Sequence, residues 1–168
     1  MKDYKNFDKY LTQLEEDIYA QPVDDGHTAW ANAALGYLST IASLENVKSV
    51  LDIGCGEGFS AEIFKNLGIH NWHGVTKGED VQAVLSRGLP VYEDDMSFLH
   101  FDDNSFDLLF ARHVLEHSPF PLLTLMEWNR VGRDLLFLVA PAPAFWGWGG
   151  QNHYAVMGFE KLNWLPRS

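Results

Sequence analysis

The chain has 168 residues, of which 46% are hydrophobic and 14% aromatic, which is enough for one domain with a buried core. Its net charge of −11 disfavours binding to the phosphate backbone of nucleic acids. We expect a cytoplasmic protein with no membrane partner, because there is no apolar run long enough to span a bilayer, no signal-peptide core after Met1 and only one cysteine, Cys55.

The first 46 residues predict two helices. Apolar side chains recur at helical spacing from Asp3 to Ala20, with charged residues between them. A second helix is predicted from His27 to Ser43, where alanines and leucines form a face suited to close packing. We interpret residues 1–46 as a helical cap on a single domain that spans residues 1–168, with a core at 47–141 and a tail at 142–168.

From Val47 onward, predicted strands alternate with predicted helices. The strands are expected at 47–53, 71–76, 89–92, 106–111 and 134–140, and the helices at 59–67, 80–87 and 119–131. This alternation predicts an α/β fold with a doubly wound, mainly parallel sheet. The last strand is a continuous apolar run, which is typical of a strand covered on both faces.

A glycine-rich turn, Asp52-Ile53-Gly54-Cys55-Gly56-Glu57-Gly58, lies between the first of these strands and the helix that follows. Glycine lets the backbone approach a ligand closely, because it has no Cβ and accepts left-handed backbone angles. Phe59 stands where the dinucleotide pattern G-x-G-x-x-G has its third glycine, which disfavours a dehydrogenase.

The spacing G-x-G-x-G after Asp52 resembles the first motif of class I (Rossmann-like) S-adenosylmethionine (SAM) dependent methyltransferases. The resemblance covers roughly Ser49–Pro141, and it implies SAM as cofactor and S-adenosylhomocysteine as product. It also implies that Gly54, Cys55 and Gly56 pass beneath the methionine part of SAM, while Asp52 holds its amino end. An acid can do so because it pairs with an ammonium group.

The resemblance also implies contacts to the ribose and the adenine. The family commonly has an acid at the end of its second strand, where this chain has Thr76 instead. The expected contacts are Thr76 for the ribose, with Glu79 and Asp80 left open, and Asp95 and Met96 for the adenine, with Asp94 one residue away.

The predicted fourth strand ends in Ala111-Arg112-His113, which the resemblance places on the methyl side of the cofactor. His113 and His117 are four residues apart, so that on a helix they would share a face. We take both as candidates for a general base, because imidazole titrates near neutrality. No His-Glu-x-x-His pattern is present and no third ligand is evident, so we predict no metal.

The tail from 142 to 168 is rich in aromatic residues and glycine. It could form a lid or substrate wall, or it could fill the core or an interface. Only five strands are predicted, whereas the family sheet usually has seven. We expect the sheet edge to be covered by the tail or by a second copy in a homodimer, unless the sequence is a piece of a longer protein.

The predicted function is methyl transfer from SAM to a small-molecule acceptor. The alternative is a non-catalytic SAM-binding protein or a truncated methyltransferase-like interaction protein, which would bind SAM without turnover. A nucleic-acid methyltransferase is disfavoured by the net charge of −11. It is also disfavoured by Ala111-Arg112-His113-Val114, which stands where the amino-group DNA enzymes carry Asn or Asp followed by two prolines and an aromatic residue.

Overall fold

The computed structural model describes residues 5–16, 25–140 and 153–155, and in this part of the chain the predicted alternation of helices and strands is confirmed. The tail predicted at 142–168 lies outside the described residues except for 153–155. The helices are α1 (Lys5–Glu16), α2 (Asp25–Ile41), α3 (Ser60–Asn66), α4 (Glu79–Ser86) and α5 (Pro121–Val131). The strands are β1 (Ser49–Ile53), β2 (Asn71–Thr76), β3 (Val91–Glu93), β4 (Phe106–Arg112) and β5 (Gly132–Val139), and a short 3-10 turn covers Leu115–His117.

The described strands form one parallel sheet in the order β3-β2-β1-β4-β5. This confirms the doubly wound, Rossmann-like fold class. The strand order reverses between β1 and β4, which are adjacent in the sheet although β2 and β3 lie between them in sequence. In such sheets a crevice opens at the carboxyl ends of the two strands flanking the reversal, and ligands bind there.

Two apolar clusters cover the two faces of the sheet. Side chains alternate between faces along β1, so that Val50 belongs to one cluster and Leu51 to the other. The first cluster receives Leu35 from α2 and Phe64 from α3, and the second receives Trp128 from α5. Because both faces are covered near its centre, the sheet holds the carboxyl ends of β1 and β4 firmly in place.

The last strand departs from the sequence-based expectation. It begins directly at Gly132, where α5 ends, rather than at Asp134. The prediction that it is covered on both faces is wrong, because Leu136 is 44% exposed. Among the described strands, β5 pairs with β4 alone and is therefore an edge strand. No helix in the described ranges is long and apolar enough to cross a membrane.

Candidate functional site

The glycine turn is fixed to the neighbouring strand by its own backbone. The N–H groups of Gly54 and Cys55 both donate to the carbonyl of Val75 in β2, at 2.8 and 3.1 Å. Gly54 has φ +69°, and a Cβ placed on it would lie 2.2 Å from Cγ2 of Val114. A larger residue at this position would therefore clash with Val114 in the segment that follows β4, which gives Gly54 a structural reason to be glycine.

Gly56 leaves open space above the turn. Its φ is +52°. Among the described atoms, a Cβ built on Gly56 would have only Oδ2 of Asp80 within 4.0 Å. A ligand can thus approach the Gly56 backbone directly. The carboxylate of Asp80 lies beside this opening, and Asp52 is buried near the end of β1, the strand that leads into the turn.

Asp52 is buried beneath this turn. It is 3% exposed and accepts a hydrogen bond from the hydroxyl of Ser60, which itself accepts one from Nε1 of Trp72 at 2.9 Å. Burial raises the pKa of Asp52 to about 7, although the hydrogen bond from Ser60 and the charge of Arg112 oppose the shift. A cation brought beside Asp52 would lower this pKa again, because it favours the ionised carboxylate.

Cys55 contributes its backbone to the turn and its side chain to the core. A Cβ on Gly74 of β2 would lie 2.6 Å from its Sγ, so the glycine makes room for the thiol. Burial raises the pKa of the Cys55 thiol, and the charges of Asp52 and Asp80 raise it further. The thiol is consequently unreactive and has a packing role.

The three residues proposed for the ribose differ in position. Thr76 is buried at the end of β2, whereas Glu79 is exposed on α4. Asp80 is half-buried and lies over Gly56. Burial, together with the charges of Glu57 and Glu79, raises the pKa of Asp80. Of the two acids in this set, Asp80 is the one whose carboxylate lies beside the glycine turn.

The loop after β3 is held in shape by its acids. Asp95 accepts hydrogen bonds from Nζ of Lys77 at 3.2 Å and from the N–H of Ser97 at 2.7 Å. Asp94 instead bonds His100, whose N–H and ring nitrogen Nδ1 lie 2.8–3.0 Å from its carboxylate oxygens. The carbonyl of Met96 accepts from Nε1 of Trp128 at 2.8 Å, which fixes the peptide that follows.

Three hydroxyls connect this loop to the segment after β4. Oγ1 of Thr124 lies 2.7 Å from Oγ of Ser97 and 2.6 Å from Oγ of Ser118, and all three residues are buried. We call this set, Ser97, Thr124 and Ser118, the serine–threonine chain. It satisfies polar groups in the interior and sets the distance between the two loops.

The segment after β4 brings three ionisable side chains together. Ala111 is buried and Arg112 half-buried, while His113 has φ +55° and donates its N–H to the carbonyl of Val139 at 2.8 Å. Nδ1 of His113 lies 3.2 Å from Oε1 of Glu116, which is only 1% exposed. The left-handed backbone at His113 turns the chain sharply, so that Glu116 points into the interior.

His117 faces His153 from the tail. Their rings pack edge to face at 4.9 Å, and the N–H of Ala155 donates to the carbonyl of Glu116 at 3.0 Å. Burial lowers the pKa of His153, and the neighbouring His117 lowers it further. The tail thus reaches the carboxyl edge of the sheet at the described residues 153–155.

Sequence reasoning missed the residues that hold the expected ligand contacts. These are Ser60 and Trp72 behind Asp52, Lys77 beside Asp95, and Glu116 behind His113. The only signal was for Glu116, since an acid flanked by apolar residues and two histidines is costly to bury without a role. The other three pair with residues 8 to 18 positions away, and no local pattern marks them.

The chain matches one family of known proteins by its sequence pattern. The sequence pattern of a family described as a methyltransferase domain matches residues 51–135, which is half of the chain and includes the glycine turn, β2 to β4 and α5. No individual curated protein sequence matches the chain significantly.

Many solved structures share the fold. A SAM-dependent methyltransferase from Archaeoglobus fulgidus is 20% identical, with a TM-score of 0.67 over 93% of this chain and 71% of that one. A phosphoethanolamine N-methyltransferase 2 from Haemonchus contortus, solved with phosphomonomethylethanolamine and S-adenosylhomocysteine, is 21% identical, with a TM-score of 0.65 over 79% and 35%. The YcgJ protein from Bacillus subtilis is 25% identical, with a TM-score of 0.54 over 61% and 47%. The chain spans about half the length of several of the solved structures that it matches, the YcgJ protein among them.

Proposed function

The chain belongs to the class I SAM-dependent methyltransferase family, and on that basis we propose that it transfers a methyl group from SAM to a small-molecule acceptor. The observation that carries the proposal is the open backbone at Gly56, which has the carboxylate of Asp80 beside it and follows the buried Asp52 of β1 in the chain. When bound, SAM supplies a methyl group that is already activated on a sulfonium ion.

The residues that would hold the cofactor lie along the carboxyl edge of the sheet. Asp52 would pair with the ammonium of the methionine part, since a cation beside it offsets the cost of its burial. Asp80 is our candidate for the ribose hydroxyls, because a carboxylate accepts two such bonds and this one lies over Gly56. Asp95 and Met96 remain the candidates for the adenine, in a loop that Lys77 and Trp128 hold in place.

The protein's contribution to catalysis is mainly alignment and exclusion of water, because the methyl donor needs no further activation. Ala111, Arg112 and His113 are proposed to line the methyl side. A base is needed only when the acceptor is protonated. His113 is our candidate for that base, since Glu116 engages its Nδ1 and leaves Nε2 to accept a proton. His117 faces His153 instead, and we assign it a different role below.

The charge distribution supports a small acceptor over a nucleic acid. The whole chain carries −11, and the described part of the carboxyl edge contains several acids, among them Asp80, Glu93, Asp94 and Asp95. Such an edge repels a phosphate backbone and favours a neutral or cationic molecule. Binding of SAM without turnover on any acceptor would support the alternative of a non-catalytic binding protein.

The first test is calorimetric titration with S-adenosylhomocysteine, with NAD as the control ligand. We compare wild type with Gly56→Ala and with a matched variant, Gly68→Ala. Both glycines have positive φ, at +52° and +84°, so both variants carry similar backbone strain of roughly 1 kcal/mol. Only at Gly56 does the new methyl group enter the proposed cleft.

We expect micromolar binding of S-adenosylhomocysteine by wild type and by Gly68→Ala, and loss of binding by Gly56→Ala. Equal binding by both variants would show that the ligand does not lie over Gly56. Tighter binding of NAD than of S-adenosylhomocysteine would overturn the cofactor assignment itself. Screening of small-molecule acceptors then follows, with S-adenosylhomocysteine formation as the readout.

A further inference from the structure

Three potential metal ligands converge where the tail meets the segment after β4. One ligand atom from each of Glu116, His117 and His153 lies within 4.8 Å of the other two. We propose that these three residues bind a divalent transition metal, with zinc as the best match. The site adjoins the proposed methyl side, because Glu116 also bonds His113, but metal binding there does not depend on methyl transfer.

The buried carboxylate of Glu116 is the strongest reason for a metal. Glu116 is 1% exposed, and its Oε2 has no hydrogen-bond partner among the described residues. Its other oxygen, Oε1, is engaged by Nδ1 of His113 at 3.2 Å. A buried carboxylate oxygen without a partner is costly, and a bound cation removes that cost. Because His113 occupies Oε1, Oε2 is the oxygen left for the metal.

His153 is held beside Glu116 and His117 by contacts that do not require a metal. The N–H of Ala155 donates to the carbonyl of Glu116 at 3.0 Å, which anchors the tail beside the 3-10 turn. The rings of His117 and His153 then meet edge to face, with centroids 4.9 Å apart and planes at 76°. The ligands are therefore gathered by the fold itself, which lowers the entropic cost of binding a metal.

The ligand set indicates the class of metal. Two imidazoles and one carboxylate are typical of zinc sites that keep a fourth position open, and of other first-row metals such as iron(II). Tetrahedral zinc with bonds of about 2.0–2.1 Å separates its ligands by roughly 3.3 Å. The three atoms would therefore draw closer on binding, which rotations of the two rings can provide. The open position would take water or an oxygen atom of another molecule.

This proposal departs from the sequence-based expectation of no metal. That expectation considered the pair His113 and His117 and found no third ligand. In the structure the set changes, because His113 supports Glu116 while His153 completes the site from the tail.

The test is metal binding by the full chain without a purification tag. After removal of metal, we titrate Zn²⁺ and Co²⁺ and measure stoichiometry, affinity and the visible absorption of Co²⁺. The variants are Glu116→Gln and His153→Ala, with His70→Ala as the control for an exposed histidine outside the cluster. Circular dichroism and S-adenosylhomocysteine binding report on folding and on the cofactor site independently.

We expect one Zn²⁺ per chain in wild type and in His70→Ala, and at least tenfold weaker binding in the other two variants. The visible absorption of bound Co²⁺ should likewise appear in wild type and His70→Ala and be weaker in Glu116→Gln and His153→Ala. If Glu116→Gln fails to fold, His153→Ala decides, because the backbone bond from Ala155 does not involve the imidazole. Absence of stoichiometric binding in wild type, or unchanged affinity in His153→Ala, would overturn the proposal even where S-adenosylhomocysteine still binds.

Discussion

Replacing Asp52 by Asn should stabilise the free protein and weaken cofactor binding at the same time. Asn keeps the shape of the side chain and an oxygen that can accept from the hydroxyl of Ser60. It removes the negative charge, which is costly beneath the glycine turn because Asp52 is 3% exposed. The same charge is what our proposal requires for the ammonium of SAM.

The size of the stability effect follows from the pKa of Asp52. Its rise from 3.8 to about 7 makes ionisation in the folded state cost roughly 4 kcal/mol, at about 1.36 kcal/mol per pKa unit. Because the folded pKa lies above the unfolded one, this penalty is absent below about pH 4, grows between about pH 4 and pH 7, and is complete above that range. From about pH 5 to pH 8, wild type should therefore lose roughly 2–3 kcal/mol relative to Asp52→Asn.

Urea denaturation of both proteins across this pH range measures the difference directly. In calorimetry, Asp52→Asn should bind S-adenosylhomocysteine roughly 10–100-fold more weakly, as expected for losing a charge-assisted hydrogen bond worth about 1.5–3 kcal/mol. Wild type should also release about half a proton per ligand near pH 7, which buffers of different ionisation enthalpy reveal. Parallel pH dependences for the two proteins, or equal affinities, would refute this reasoning.

Two further substitutions test the neighbouring parts of the site. Asp80→Asn should weaken S-adenosylhomocysteine binding about tenfold or more, whereas Glu79→Gln, one residue away and exposed, should leave it within twofold in calorimetry; equal effects would remove Asp80 from the ribose assignment. Thr124→Val should lower the free energy of unfolding by about 1–3 kcal/mol, because it leaves the two serine hydroxyls of the serine–threonine chain without this partner. The control Thr40→Val removes a comparable hydroxyl from an exposed position, where urea denaturation should detect a change within about 0.5 kcal/mol.

Most of the fold could be predicted from the sequence because its signals are local. The strand Asn71–Thr76 has the predicted bounds, and the other described helices and strands lie close to theirs. Apolar runs separated by glycines and polar turns carry this information within a few residues. The exception is β5, whose apolar sequence predicted burial although Leu136 is 44% exposed. Hydrophobicity indicates that a strand can be buried, but its place in the sheet decides whether it is.

The site was less predictable because its supporting contacts join residues far apart in sequence. Lys77 reaches Asp95 across two loops, and Trp72 donates to the hydroxyl of Ser60, which in turn donates to Asp52. No local periodicity records such pairs, since each depends on how the fold brings separate strands, helices and loops together. The resemblance to class I methyltransferases suggested the candidate ligand contacts. The structure then showed which residues hold those candidates in place.

The same reasoning explains why the acids at the carboxyl edge differ in what they can do. Asp95 accepts bonds from Lys77 and Ser97, so that its position is fixed before any ligand arrives. Asp52 and Glu116 are instead buried at a cost in the free protein, because burial disfavours the ionised Asp52 carboxylate and Oε2 of Glu116 has no hydrogen-bond partner in the described part of the chain. A cation relieves that cost, which is why we assign the ammonium of SAM to Asp52 and a metal ion to Glu116. Two cations of different chemistry would then bind beside the reversal of strand order, the ammonium near the end of β1 and the metal at the 3-10 turn that follows β4.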